Sequence, residues 1–274
     1  MSDSVRRVPV TRIGRGPAGA GEDAAAVEEP LEVRLHGRPF AVIMRTPGSD
    51  RELAAGFLFA EGVISSCDDI GAVEHCRHPD HPDRQNVVDV YLIERAARDV
   101  DRHLEERRNV VASASCGLCG RTSIESLRVR AEPLGTTLQM QAAIAADLPA
   151  VLRTHQAGFD RTGGLHAAGL FTADGGCDST AEDVGRHNAV DKVVGRLLIA
   201  ERLPARGFAL AVSGRTSFEI VQKAWLAGIE LVCAVSAPSS LAIELAEAAN
   251  ITLLGFARDG GFNIYSHPSR IAAV

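Results

Sequence analysis

The sequence predicts an α/β protein: a larger unit with a mainly parallel sheet and helices packed on it, preceded by a smaller α+β unit. Three observations carry this expectation. From residue 208 onward, continuous apolar runs alternate with amphipathic stretches, as buried parallel strands do with their crossover helices. Upstream, residues 31–46 and 86–93 alternate apolar with polar, the pattern of strands with one wet face. With 274 residues, 46 % hydrophobic and 23 % charged, the chain is long enough for one large or two modest cores.

Residues 1–30 are rich in Gly, Ala, Glu and Arg without apolar periodicity, and are expected to form a disordered arm. Gly14, Gly16 and Gly19 spell G-x-G-x-x-G there. Pro17 and the acidic, Ala-rich continuation supply neither the strand nor the helix of a dinucleotide site. Residues 31–112 form the smaller unit. Leu31, Val33 and Leu35 lead into Gly37-Arg38, and Phe40, Val42 and Met44 lead out, a hairpin pattern. Pro47-Gly48-Ser49-Asp50 breaks the chain and offers a cap. Leu53, Ala54, Phe57 and Leu58 then recur at helical spacing up to Glu61-Gly62. Residues 86–93 alternate as a strand.

Residues 113–122 are expected as a mobile loop and 123–274 as the larger unit. In the latter, Ile144, Leu148, Val151 and Leu152 mark a helix over 141–155, and residues 165–171 a buried strand. Val190, Val193, Val194, Leu197 and Leu198 share one face of a helix over 188–199. Strands follow at 208–212, 230–235 and 251–256, helices at 218–227 and 241–249, and a short strand at 263–265.

The net charge of −6 and a pI of about 5.9 argue against nucleic acid as the main partner. No apolar run approaches the roughly 20 residues of a membrane span, and the N-terminus lacks a signal-peptide layout. Six cysteines without scaffold spacing fit a reducing cytoplasm.

Two of those cysteines, Cys116 and Cys119, lie in Ser113-Ala114-Ser115-Cys116-Gly117-Leu118-Cys119-Gly120. Small residues and glycines let a second molecule approach the sulfurs, whose thiolates would do the chemistry. Four readings compete: half a zinc site, a redox pair, a persulfide-forming sulfur carrier, or two inert cysteines. Zinc needs two more ligands. Cys67, His75, Cys76, His78 and His81 match no zinc spacing, and the prolines among them predict a solvated loop. A redox pair belongs at the start of a βαβ unit, whereas this pair precedes the βα region. Sulfur transfer is the sharpest candidate, although the loop alone does not decide it.

Three turns follow the apolar strands: Ser213-Gly214-Arg215-Thr216-Ser217, Ser236-Ala237-Pro238-Ser239-Ser240 and Ala257-Arg258-Asp259-Gly260-Gly261. In an open α/β sheet they share the carboxyl edge, where hydroxyls, amides, arginines and two helix N-termini suit a phosphorylated ligand. Any single turn reads equally as a helix cap. In the run from Glu182 to Lys192, His187 and Asp191 are spaced to pair on one helical face; a solvated helix start is the plainer reading. His166, in an apolar strand, reads as a satisfied core histidine.

Together, Ser115-Cys116-Gly117-Leu118-Cys119-Gly120, the Glu182–Lys192 run, Ser213-Gly214-Arg215 and Phe256-Ala257-Arg258-Asp259-Gly260-Gly261 resemble the formate dehydrogenase accessory sulfurtransferase family (FdhD-type). The resemblance implies that a cysteine desulfurase loads the C-x-x-C loop with sulfur as a persulfide. The sulfur then passes to the molybdenum of a bis-guanine-dinucleotide molybdopterin cofactor, bound as substrate, before that cofactor enters formate dehydrogenase. It also implies Cys116 as carrier, Cys119 as its partner, contact of Phe256 to Gly261 with the cofactor, and a homodimer whose larger domain is similar to cytidine deaminase. Deamination itself is excluded. His166-Ala167-Ala168 lacks the acid of H-x-E, Ser115 replaces the proline of P-C-x-x-C, and the cysteines come first. Locally, Arg121 would favour Cys119 as the better thiolate, while the resemblance favours Cys116. Two rival readings are a cofactor-binding chaperone whose cysteines only shield the metal, and a zinc-stabilised interaction module.

Overall fold

The computed structural model describes residues 4–14, 19–77, 82–108 and 132–272. Cys116, Cys119, His78 and His81 lie outside the described residues, and so does the 113–122 loop. Up to residue 108 the chain runs β1 (Val5–Arg12), β2 (Gly19–Ala26), β3 (Glu29–Leu35), β4 (Arg38–Arg45), α1 (Asp50–Ala60), β5 (Ile70–His75), β6 (Val87–Leu92), α2 (Glu94–Arg98) and α3 (Val100–Arg108). From residue 132 it continues with β7 (Met140–Gln141), α4 (Ala142–Thr154), α5 (Ala157–Thr162), β8 (His166–Phe171), β9 (Cys177–Asp183) and α6 (Arg186–Ile199). β10 (Ala209–Val212), α7 (Phe218–Leu226), β11 (Leu231–Ala234), α8 (Ser240–Ala249), β12 (Thr252–Arg258), β13 (Gly261–Ser266) and β14 (Ile271–Ala272) complete it.

Residues assigned from sequence to a disordered arm instead form an antiparallel hairpin, β1 with β2, paired from Val5–Ala26 to Arg12–Gly19. Apart from Val5, Val8 and Val10 its strands are built mainly of charged and small residues, so no sustained apolar alternation marks them. The backbone ladder and packing on α5 hold them. The β3–β4 hairpin turns at His36-Gly37, both at positive φ, one residue earlier than expected. With β5 and β6 it makes a four-stranded sheet in the order β4-β3-β6-β5.

The larger sheet has the order β13-β12-β11-β10-β8-β9. It is mixed rather than mainly parallel. Only β10/β11 and β11/β12 pair in parallel; β12/β13, β10/β8 and β8/β9 are antiparallel. The reason is local. β8 and β9, and β12 and β13, are joined by tight turns, and a tight turn can only reverse a strand. The central strands are apolar on both sides because both sides are covered. Ala209, Ala211, Leu231 and Cys233 face α4, while Leu210, Val212, Val232 and Ala234 face the core of α6, α7 and α8.

That second core continues without interruption into the small sheet through α1. α1 crosses α6 at Gly56 and Gly195, where only hydrogen side chains fit. A Cβ on Gly195 would lie 2.7 Å from the Gly56 nitrogen, and one on Gly56 would lie 2.9 Å from the Gly195 nitrogen. Residues 132–139 lie along the larger sheet's outer helices. Glu132 O accepts from Trp225 Nε1 at 2.9 Å, and Leu134 N donates to Ala249 O at 2.9 Å.

Candidate functional site

The sheet topology brings the three polar turns to one edge, together with two segments arriving from the antiparallel side. β8 and β10 run in opposite directions, so His166 at the start of β8 meets Ser213 at the end of β10. Ala167 N donates to Ser213 Oγ at 2.9 Å, which leaves the Ser213 hydroxyl hydrogen available. β9 ends at the same edge and delivers the Glu182–Lys192 run. The first two turns are zipped together: Thr216 N donates to Ala237 O (3.2 Å) and Ser239 N to Thr216 O (3.0 Å).

The capping alternative holds for one turn and fails for the other. Ser239 Oγ accepts from Ala242 N at 3.2 Å and caps α8. Ser217, at the start of α7, makes no side-chain cap; its Oγ lies 2.9 Å from His187 Nε2. The third turn begins later than expected, because β12 continues to Arg258 and turns at Asp259-Gly260. A β-bulge between Gly255 and Arg258 interrupts its ladder. Phe256 there adopts φ 52°, a left-handed conformation costly for an aromatic residue, and its ring is exposed. The bulge turns Ala257 into the core beside Leu254 and releases Phe256 outward, with the Arg258 guanidinium 5.9 Å from its ring.

A cleft of about 550 Å³ opens at this edge. Of the residues singled out from sequence, Ser213, Ala257, Arg258 and Asp259 line it. Gly214, Arg215, Phe256, Gly260 and Gly261 lie on the surrounding turns without lining it. His166 lines it too, so it is no core histidine; burial and the neighbouring Arg186 push its pKa down and keep the ring neutral. The opposite contributions come from α4, α5 and the turn after them: Leu152, Arg153, Gln156, Phe159 and Leu165 among others. Among the described residues Arg258 has no ion pair, whereas Arg153 bonds Asp160 and covers the Phe159 ring at 4.7 Å.

Behind the cleft, the Glu182–Lys192 run proves mostly structural. Glu182 accepts from Gly158 N and Phe159 N, both at 2.8 Å, and so fixes α5. Asp183, fully buried, pairs with Lys192 Nζ at 2.7 Å and accepts from Gly185 N, Asn188 Nδ2 and Thr46 N. Lys192 also donates to Thr46 O, and Asn188 to Met44 O, so this run clamps the end of β4. His187 and Asp191 do not pair. Asp191 turns inward to Lys223 Nζ at 2.6 Å, and His187 Nε2 faces Ser217 and Glu219 Oε2, the latter at 3.2 Å without hydrogen-bond geometry. Burial, then Arg186, push the His187 pKa down to about 3; burial pushes Glu219 up to about 7. Serine and carboxylate share one ring nitrogen, so the group cannot relay a proton as a nucleophile triad does.

Among the described residues no three His, Cys, Asp or Glu side chains gather as a metal site, and no helix is long and apolar enough to cross a membrane.

Fold and cleft together define an α/β protein with a cleft at one edge of its larger sheet, lined by His166, Ser213 and Arg258, and a C-x-x-C segment in the same chain. The chain belongs to the FdhD/NarQ family, whose model matches residues 26–272. It is 51 % identical over 259 residues to the sulfur carrier protein FdhD of Anaeromyxobacter dehalogenans, covering 92 % of this chain and 90 % of that one. To the protein of the same name from Streptomyces coelicolor it is 47 % identical, over 99 % and 97 % of the two chains. A Desulfotalea psychrophila crystal structure, provisionally described as a formate dehydrogenase accessory protein, shares the fold. Its TM-score is 0.75 at 24 % identity, over 98 % of this chain and 100 % of that one.

Proposed function

We propose that this protein is a sulfurtransferase serving formate dehydrogenase. In this reading a cysteine desulfurase loads Cys116 as a persulfide, and Cys119 assists transfer. The acceptor is the molybdenum of a bis-guanine-dinucleotide molybdopterin cofactor, which is substrate here and not a resident group. The reading is supported by the relatives' name, sulfur carrier protein, and by the C-x-x-C pair. The observation that carries the ligand class is the cleft, where Arg258, free of any ion pair among the described residues, lines the same space as Ser213.

The larger unit in this account is a cytidine deaminase-like scaffold, working as a homodimer in the cytoplasm, with 31–112 as the smaller domain. Phe256, Gly260 and Gly261, with Gly214 and Arg215, then contact parts of the ligand beyond the cleft. Complementation tests the reading. Bacteria lacking their own family member should regain formate dehydrogenase activity with the wild type and not with Cys116→Ala. Equal rescue by both proteins refutes it.

A further inference from the structure

A second cavity, of about 500 Å³, opens in the small unit at the N-terminal end of α1. It shares no lining residue with the cleft and is bounded by the ends of β4 and β5 and by the turn before β6. No aliphatic or phenyl side chain lines it. Three arginines, Arg45 and Arg84 among them, stand there against one carboxylate, Asp50. That carboxylate is already neutralised, because Oδ1 and Oδ2 accept from Arg45 Nε and Nη2 at 2.9 and 3.0 Å. Arg45 is only 1 % exposed, and its Nη1 makes no hydrogen bond; Glu29 Oε2 lies 3.5 Å away without the geometry for one. The anchored groups around it are left as donors. Asn86 Oδ1 accepts from Arg45 Nη2 at 2.9 Å, and since arginine only donates, the carboxamide is oriented and Nδ2 remains a donor. Ser49 Oγ accepts from Arg196 Nη2 at 3.4 Å, which leaves the hydroxyl hydrogen free. Ser49 precedes α1 without capping it, so the first-turn amides have no side-chain acceptor at the positive end of the helix. Arg84 has no ion pair or hydrogen bond among the described residues.

We propose that this cavity binds a phosphate group, either free or carried on a small phosphorylated metabolite. The inference does not depend on how the cleft is read. A lining whose one acceptor is neutralised and whose anchored groups donate is complementary to a ligand that only accepts. A phosphate offers acceptor oxygens in every direction. It takes charge-assisted hydrogen bonds from Arg84 on the open side, and neutral ones from Asn86, Ser49 and the first turn of α1 on the inner side. Held there, it joins the ends of β4 and β5 to the helix that crosses α6.

Calorimetry on the full chain with inorganic phosphate and with ribose 5-phosphate tests this, in an Arg258→Ala background that removes the cation of the cleft. At least one probe should bind, and the tighter of the two tells free phosphate from a phosphomonoester. Arg84 is exposed, so Arg84→Ala keeps the fold; it should weaken binding about tenfold or more, the worth of one charge-assisted hydrogen bond. Asn86→Asp keeps an acceptor facing Arg45 but sets a carboxylate against the anion, and should weaken binding at least as much. If neither probe binds in the Arg258→Ala background, the proposal is overturned. An affinity that either Arg84→Ala or Asn86→Asp leaves unchanged overturns it as well. Neither result bears on the cleft, which Arg258 reports separately.

Discussion

Gly56 of α1 and Gly195 of α6 meet backbone to backbone, and through that contact the small sheet and the large sheet share one core. Neither nitrogen leaves room for a methyl group on the opposite glycine. Gly195→Ala must therefore push the helices apart, and should cost about 3 kcal/mol by urea denaturation. Because the core is continuous, the wild type should unfold in a single transition reported equally by Trp225 fluorescence and far-ultraviolet dichroism. Two separated transitions would show that the crossing does not couple the sheets.

The Asp183–Lys192 pair makes a second test of the same junction. Removing one partner leaves the other charge buried and alone, so Asp183→Ala should destabilise by about 3–5 kcal/mol. Asp183→Leu combined with Lys192→Met should lose less than the sum of the single changes. Strict additivity would mean that the two side chains do not depend on one another.

Glu219 predicts a pH dependence. Its folded pKa, about 7, stands above the usual 4.5, so the folded state holds the proton more tightly. The resulting stability is complete below pH 4.5 and is lost as pH rises through about 7. Relative to Glu219→Gln, the wild type should therefore weaken by about 2 kcal/mol between pH 5 and 8. His187 works in the opposite sense at lower pH, because its depressed pKa removes stability as pH falls from 6.5 toward 3. Parallel pH profiles for the two proteins would contradict the burial of a protonated Glu219.

The cleft's cation is tested with a nucleotide. Arg258→Ala should weaken GDP binding by about 1.5–3 kcal/mol, roughly ten- to a hundredfold. Unchanged affinity would remove Arg258 from the site.

Much of this was legible in the sequence because periodicity reports burial. The helices over 50–60, 142–154 and 186–199 and the doubly buried central strands all carry apolar patterns set by what covers them. β9, Cys177-Asp178-Ser179-Thr180-Ala181-Glu182-Asp183, has almost no apolar side chain, and so gave no strand signal. The antiparallel neighbours of the large sheet depend on turns rather than strands, which is why the expected parallel sheet is mixed. Half of the cleft was readable from the polar turns after apolar strands. The other half was not. Phe159 sits in, and Gln156 just before, a short helix fixed by Glu182, 23 and more residues away in sequence. Neither reading of His187 and Asp191 held: both side chains are largely buried rather than solvated, and helical spacing permits a contact between them without choosing it over Lys223.

The central claim is that Cys116 carries transferable sulfur, and intact mass measures it most directly. After incubation with a cysteine desulfurase and cysteine, the wild type should gain the mass of one sulfur. Treatment with a reductant should remove it. Cys116→Ala should stay unmodified while keeping its fold and GDP affinity, and Cys119→Ala should retain some loading. If the added sulfur persists in Cys116→Ala and vanishes in Cys119→Ala, the carrier assignment is wrong; if no form of the protein gains sulfur, so is the account.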